Sequence, residues 1–290
     1  MLKNLTTECF RGLVRQNELI EVGLTHHFDS IDVDMADMHD RAAAMGKKFA
    51  CQFLKSASIP VACFDLPFDV AAEPSQFDAQ TTKIEAIVDL AKEIQASRCR
   101  LEIAATGHKV YHENFELLRQ RIAQLADTFA AVGVSIGLML QRDPAQRTYE
   151  YQFLQKADEI VTLIKLVGKK NVGLALDTCS WTLAGGTLQS LCKIAKAQWI
   201  DVQLCDPAPD ASSTTPAATA RCLPGTNEDS ICVDLVKHLA ELGYEGPLAA
   251  TAHPSQVGHS KPGAIGSRLA EVLNDILSKA NAAPAEVTAS

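Results

Sequence analysis

Apolar and polar positions repeat along the chain in one unit. Short runs rich in Val, Ile and Leu occur at 2–8, 28–35, 59–66, 98–106, 134–140, 172–177, 199–206 and 247–252. Each precedes a stretch in which apolar residues recur at i, i+3, i+4 and i+7, the period of a helix with one buried face. The plainest are TTKIEAIVDLAKEIQAS (81–97), ENFELLRQRIAQLADTFAAVG (113–133) and EYQFLQKADEIVTLIKLVG (150–168). Gly133, Gly168 and Gly243 stand where three helices should close, because glycine accepts the left-handed conformation of a helix end. Eight alternations predict an α/β chain folded as a single (β/α)8 TIM barrel over residues 1–280, with a disordered tail at 281–290. An open doubly wound sheet has a similar strand count. It should carry a glycine-rich phosphate loop early in the chain, and neither GxGxxG nor GxxxxGK[ST] occurs.

Side-chain size within the strands supports closure. In VSIGLM, Ser135 and Gly137 alternate with Val134, Ile136 and Leu138; in VGLALD, Gly173, Ala175 and Asp177 alternate with Val172, Leu174 and Leu176. Large residues then face the helices and small ones the barrel axis. This parity places Asp177 inside, at the C-terminal mouth where barrel enzymes hold their chemistry. Residues 206–228, rich in Ala, Ser, Thr and Pro, predict a long loop after the seventh strand that could act as a lid.

Composition narrows the function classes. The 290 residues are 47% hydrophobic and 21% charged, with a formal net charge of -8 and a pI near 5.5. Such a chain repels phosphate backbones, and no run of Lys and Arg offsets this, so no nucleic-acid partner is expected. No apolar run approaches the ~20 residues of a membrane span, and the N-terminus lacks an apolar core of signal-peptide length. Nine Cys are scattered without a CxxC pair, and Cys63, Cys99 and Cys205 lie inside apolar strands. These features predict reduced thiols, a cytoplasmic location and no membrane partner.

Three segments carry a family resemblance: VGLALDTCSWTLAGG (172–186), IDVQLCDP (200–207) and RCLPGTNEDSICVDLVKHLAELGYEGPLAAT (221–251). Together they resemble the last third of the xylose isomerase-like TIM barrels, the superfamily of sugar isomerases, sugar phosphate epimerases, related dehydratases and endonuclease IV. The resemblance implies a divalent cation held by acids on strands five, six and eight and by His on strand seven, polarising a substrate oxygen. Transferred onto this chain, the strand-five acid falls at Met139, or at Gln141 with a two-residue slip. The strand-six acid is Asp177 and the following His is Ser180. The strand-seven His falls at Gln203, with Asp206 retained, and the strand-eight Glu falls at Thr251. A thioether and neutral oxygens suit Mg2+ or Mn2+ poorly. The expectation is therefore loss of the family metal, or at most a weakly held Mg2+, Mn2+ or Zn2+ on Asp177 and Asp206.

The residues left to carry chemistry are Asp177, Asp206, Glu102 and His253 as catalytic candidates, and Arg221, Gln203, Asp32, His108 and Trp181 as substrate-binding ones. His108 and His253 follow strands four and eight, where an imidazole can move protons near neutral pH. Arg221 presents a planar fork suited to phosphate or carboxylate, or else a surface ion pair. Asp32 lies opposite in parity to Ile31 and Val33, so it points into the mouth or core. Arg100 shares a face with Glu102 and could neutralise it. Trp181 offers a wall for a sugar ring, or simple packing. The resemblance implies a sugar or sugar-phosphate isomerase or epimerase acting on a small carbohydrate-like substrate. The replaced ligands keep open a non-catalytic sugar-binding paralogue, and a homo-oligomer is compatible with either. The nuclease branch needs many His and acids at the mouth, which this chain lacks.

Overall fold

In a computed structural model, residues 1–10, 12, 14–141, 149–212, 220–258 and 261–282 are described. Eight parallel strands form the barrel: β1 (Leu2–Leu5), β2 (Ser30–Val33), β3 (Val61–Phe64), β4 (Arg98–Ile103), β5 (Ser135–Leu140), β6 (Val172–Asp177), β7 (Trp199–Leu204) and β8 (Pro247–Ala250). Their order is β3-β2-β1-β8-β7-β6-β5-β4. A single parallel bridge between Asp65 and Arg100 brings β3 and β4 together, with Leu66 N–H donating to Arg100 O at 2.8 Å. The ring is nearly closed, as the alternation of strand and helix predicts.

Strand ends are set by local hydrogen bonds that apolar runs do not reveal. The first strand stops at Leu5, where Glu8 N–H turns back to the Thr6 hydroxyl at 3.1 Å. β2 stops at Val33 because Asp34 caps the helix α1 (Met35–Met45), accepting from the N–H groups of Ala36 and Asp37 at 3.0 Å each. The helix expected over 150–168 starts only at Ala157 and runs to Val167. Tyr151–Gln152 instead pairs antiparallel with Thr106–Gly107, and Glu159 reaches back to Lys156 N–H at 2.8 Å to open the helix. The stretch 81–97 holds a helix at Ile84–Glu93, preceded by a separate one at Pro74–Thr81. Gly168 ends its helix at φ 67°, and Gly133 and Gly243 lie in the same left-handed region.

Helix faces cover the ring. The helix Tyr111–Ala130 buries Leu118, Ile122, Leu125 and Phe129, spaced as one apolar stripe. Inside, Gly137 and Gly173 provide close approach. A Cβ on Gly137 would lie 2.6 Å from Ala175 Cβ, and one on Gly173 would lie 2.3 Å from Gln198 O. Both would also crowd Ile200, which a register shift between β6 and β7 places beside them. Gly173→Ala is expected to cost about 1–3 kcal/mol through overpacking against backbone. Urea denaturation checks this, and a loss of less than about 0.5 kcal/mol would show that β7 moves aside freely.

The loop after β7 starts with Asp206–Pro207, which pairs antiparallel with Arg221–Cys222. Residues 213–219 of this expected lid, and 283–290 of the expected tail, lie outside the described residues. No helix among the described residues is long and apolar enough to cross a membrane.

Candidate active site

Asp177 ends β6 and faces inward, where it does two things at once. Its Oδ1 accepts Ser180 N–H at 2.7 Å, capping the short helix Thr178–Leu183. Its Oδ2 forms an ion pair with Arg221 Nη1. Arg221 Nη2 donates to Ser180 Oγ at 2.8 Å, and Nη1 lies 3.8 Å from Cys205 Sγ. Arg221 is 5% exposed and Asp177 3%, so this is a buried pair rather than a surface one. Burial works against the charge on Arg221, but Asp177, with Cys205 and Cys179, outweighs it and leaves its pKa above the ordinary value. Position 180 helps to hold this cation: it is Ser, and Ser supplies an acceptor.

Gln203 sits directly across from Asp177 in the β6–β7 register, and Ala249 of β8 lies on its other side. Gln203 is fully buried, yet neither its amide N nor its amide O has a hydrogen-bond partner. Thr251 follows β8 and donates its N–H to Leu204 O at 2.8 Å. Met139, buried on β5, is the register partner of Glu102 on β4. Residues 139, 177 and 203 thus lie on three adjacent strands, and residue 251 directly follows the fourth, all at the C-terminal end. Glu102 is half-buried beside them.

Below this level the axis holds a charge cluster. Arg100 donates from Nη2 to Asp32 at 2.6 Å, from Nη1 to Asp201 at 3.1 Å and from Nε to Asp65 at 2.7 Å. Asn4 also donates to Asp32, at 2.8 Å. Asp32 is therefore beneath the mouth, engaged by core groups, and the Arg100 fork is spent on these three acids. Burial, opposed by Arg100 and aided by Asp201, raises the Asp32 carboxyl from 3.8 to about 7; burial raises Asp201 too. The folded chain consequently holds a proton here that the unfolded chain releases. This contribution to stability is complete below the ordinary value of 3.8 and is lost as pH rises through about 7. Between pH 5 and 8, Asp32→Asn is expected to flatten the fall of stability with pH, read from denaturation midpoints. An unchanged slope would place the proton elsewhere.

The remaining candidates have other partners. Asp206, 2% exposed, accepts from Asn227 N–H at 3.0 Å and Ser230 Oγ at 2.7 Å, tying down the turn before the helix Cys232–Glu241. His253 caps the turn Pro254–Val257, with Nδ1 2.8 Å from Ser255 Oγ, and its N–H donates to Arg221 O at 3.3 Å. His108 lies 3.3 Å from Glu73, and its ring meets that of Tyr149 tilted by 41° at a centroid distance of 4.1 Å. Trp181 is 1% exposed, packs over Gly186 and donates from Nε1 to Thr187 O at 3.3 Å. Its ring is part of the packing around the barrel.

The family model described as xylose isomerase-like TIM barrel matches residues 22–276. The chain belongs to this family. Among solved structures, this xylose isomerase-like barrel is similar to a xylose isomerase domain protein from Alicyclobacillus acidocaldarius, at 18% identity and a TM-score of 0.83, covering 97% of this chain and 100% of that one. It is also similar to the IolI protein with a bound zinc atom, at 14% identity and a TM-score of 0.82, covering 98% and 100%. A third likeness is to 3-keto-D-glucoside 4-epimerase from E. coli, at 14% identity and a TM-score of 0.71, covering 96% and 100%. Comparison with curated proteins gives no match.

The divalent cation that the family implies does not fit the residues present. Met139, Ser180, Gln203 and Thr251 supply no anionic oxygen, Asp206 is held by loop donors, and Asp177 already holds a guanidinium. A softer donor set is present, however: among the described residues, one oxygen of Asp177 and the Sγ atoms of Cys179 and Cys205 lie within 4.8 Å of one another. Cys179 donates to Ala220 O at 3.0 Å. Its contact with Cys205, and then burial, raises its pKa. Reading the sequence for ligand spacing missed this pair, because the two Cys come from different strand ends. The available signal was that each lies within two residues of a strand-tip acid: Cys179 after Asp177, Cys205 before Asp206.

Proposed function

We propose that this barrel binds a small hydroxyl-rich carbohydrate-like ligand at its C-terminal mouth and moves a proton beside a ligand carbonyl, as an isomerase or epimerase does, without a divalent metal. Gln203 carries the reading. A buried primary amide with neither group satisfied costs the fold about 1–3 kcal/mol. Hydroxyl groups both donate and accept, so a polyol can satisfy both ends at once. Glu102, half-buried at the mouth end of β4, is assigned the proton transfer, with His253 as the second proton-carrying group. Arg221 supplies a fixed positive charge facing the oxygen on which negative charge develops. Asp177 acts through Arg221, as a positioning residue, and Asp206 through the turn at 227–230.

Thermal unfolding with a panel of pentoses, hexoses, keto-sugars and their phosphates tests the reading. A true ligand at about 100 times its Kd is expected to raise the midpoint by about 5 °C, with and without chelator, and Gln203→Leu to remove that shift. If no member of the panel shifts the midpoint, the reading fails. Deuterium uptake from D2O into the binding sugar, followed by mass spectrometry, then reports proton transfer. A second reading is a ligand-binding barrel without turnover, favoured by the two retained acids, Asp177 and Asp206, both being engaged by protein donors. A chelator-insensitive shift without deuterium uptake selects it.

A further inference from the structure

We infer that Arg221 is the resident cation of a soft-metal donor set, Asp177–Cys179–Cys205, and that guanidinium and metal are mutually exclusive occupants of that one place. Three observations converge. The three donor atoms lie within 4.8 Å of one another and all three residues are buried. In a tetrahedral zinc-type site two thiolates stand about 3.7 Å apart, from Zn–S bonds of about 2.3 Å, so only a small contraction is needed. The guanidinium already sits against two of the three donors: Nη1 pairs with Asp177 Oδ2 and lies 3.8 Å from Cys205 Sγ, while Cys205 Sγ is 3.5 Å from the same carboxylate oxygen. A monovalent fork and a divalent ion cannot share that space, and each repels the other at such range.

The donor chemistry states which metal the place would take. Two thiols and one carboxylate select soft or borderline ions such as Zn2+, Cd2+ and Co2+ over Mg2+ or Mn2+. Binding would form two metal–sulfur bonds and one metal–oxygen bond, and would release the protons of Cys179 and Cys205 to solvent. In the native chain Arg221 closes this route. It is attached to the loop that returns from β7, and the ladder of Asp206–Pro207 with Arg221–Cys222 holds it in position. The positive charge at the mouth is thereby covalent to the chain and independent of metal supply.

The test uses the full chain, stripped with chelator, as wild type and Arg221→Met. Each is titrated with Co2+ and Cd2+ while thiolate-to-metal charge-transfer absorbance and the thermal midpoint are read. Wild type is expected to show neither band nor shift at millimolar metal. Arg221→Met is expected to show both, with at least about 100-fold tighter Cd2+ binding, and to lose both on adding Cys179→Ser. A charge-transfer band in wild type overturns the inference, as does a folded Arg221→Met chain without one. If Arg221→Met is unfolded alone, refolding by Cd2+ with the band supports the inference, and failure to refold with Cd2+ overturns it. None of these outcomes depends on which sugar, if any, enters the mouth.

Discussion

Arg100→Met is expected to lower stability by about 3–5 kcal/mol, the loss typical when one member of a buried ion pair is removed. The reason is what stays behind. Asp32 is 2% exposed and Asp201 0%, and each has Arg100 as its cationic partner. Without the guanidinium, two carboxyl groups remain in the barrel axis with no positive charge, and both must take up protons to stay buried. The loss should therefore be smaller at pH 5 than at pH 8, where holding those protons costs more. Lys is a poor replacement, because a single ammonium cannot point along the three directions that lead to Asp32, Asp65 and Asp201. Adding Asp32→Asn and Asp201→Asn to Arg100→Met should restore much of the loss, since the acids no longer carry charge. Urea denaturation at the two pH values decides. A loss below about 1 kcal/mol, or one independent of pH, would mean that Arg100 does not compensate buried negative charge.

Asp177→Ala is expected to cost about 3–5 kcal/mol by the same logic, with the charge left behind now positive. Arg221 would keep Ser180 Oγ as a neutral acceptor but lose its carboxylate. The cap on Ser180 N–H is lost as well, which contributes about 1 kcal/mol of that total. Arg221→Met alone should cost a similar amount, because it leaves Asp177 buried and unneutralised. The double variant should cost clearly less than the sum, with a coupling of about 1–3 kcal/mol. Additive losses in the double-mutant cycle would show that the two groups do not depend on each other. Both experiments leave the barrel intact in principle, since neither residue belongs to the apolar layer between strands and helices.

Much of the architecture is legible in local pattern. Val134, Ile136 and Leu138 against Ser135 and Gly137, and Val172, Leu174 and Leu176 against Gly173 and Ala175, state which face meets helices and which meets the axis. The parity rule extends to chemistry: it puts Asp177, Gln203, Glu102, Arg100 and Asp32 inward. Where local hydrogen bonds compete with periodicity, pattern reads too far. The helical period of 150–168 continues through residues that the structure spends on a two-residue ladder and a capping box. The first two strands look longer than they are because Thr6 and Asp34 hydroxyl and carboxylate groups turn the backbone.

Partnership across the barrel is another matter. Arg100 shares a face with Glu102, and spacing alone suggests that they neutralise one another. Its partners are instead Asp32, Asp65 and Asp201, which come from or directly follow three other strands. Arg221 reads equally as a substrate clamp or a surface charge, and its burial against Asp177, 44 residues away, depends on how the loop after β7 returns. Cys179 meets Cys205 because each follows the tip of one of two strands, β6 and β7, that pair side by side in the ring. Residue order alone sets the eight-unit barrel, the inward set of polar side chains and the lack of the family's anionic ligands, because periods of 2 and 3.6 residues are properties of a single strand or helix. Which inward groups touch is set by ring closure, which brings side chains from distant strands within a few ångströms of one axis, where desolvation makes each choose a partner.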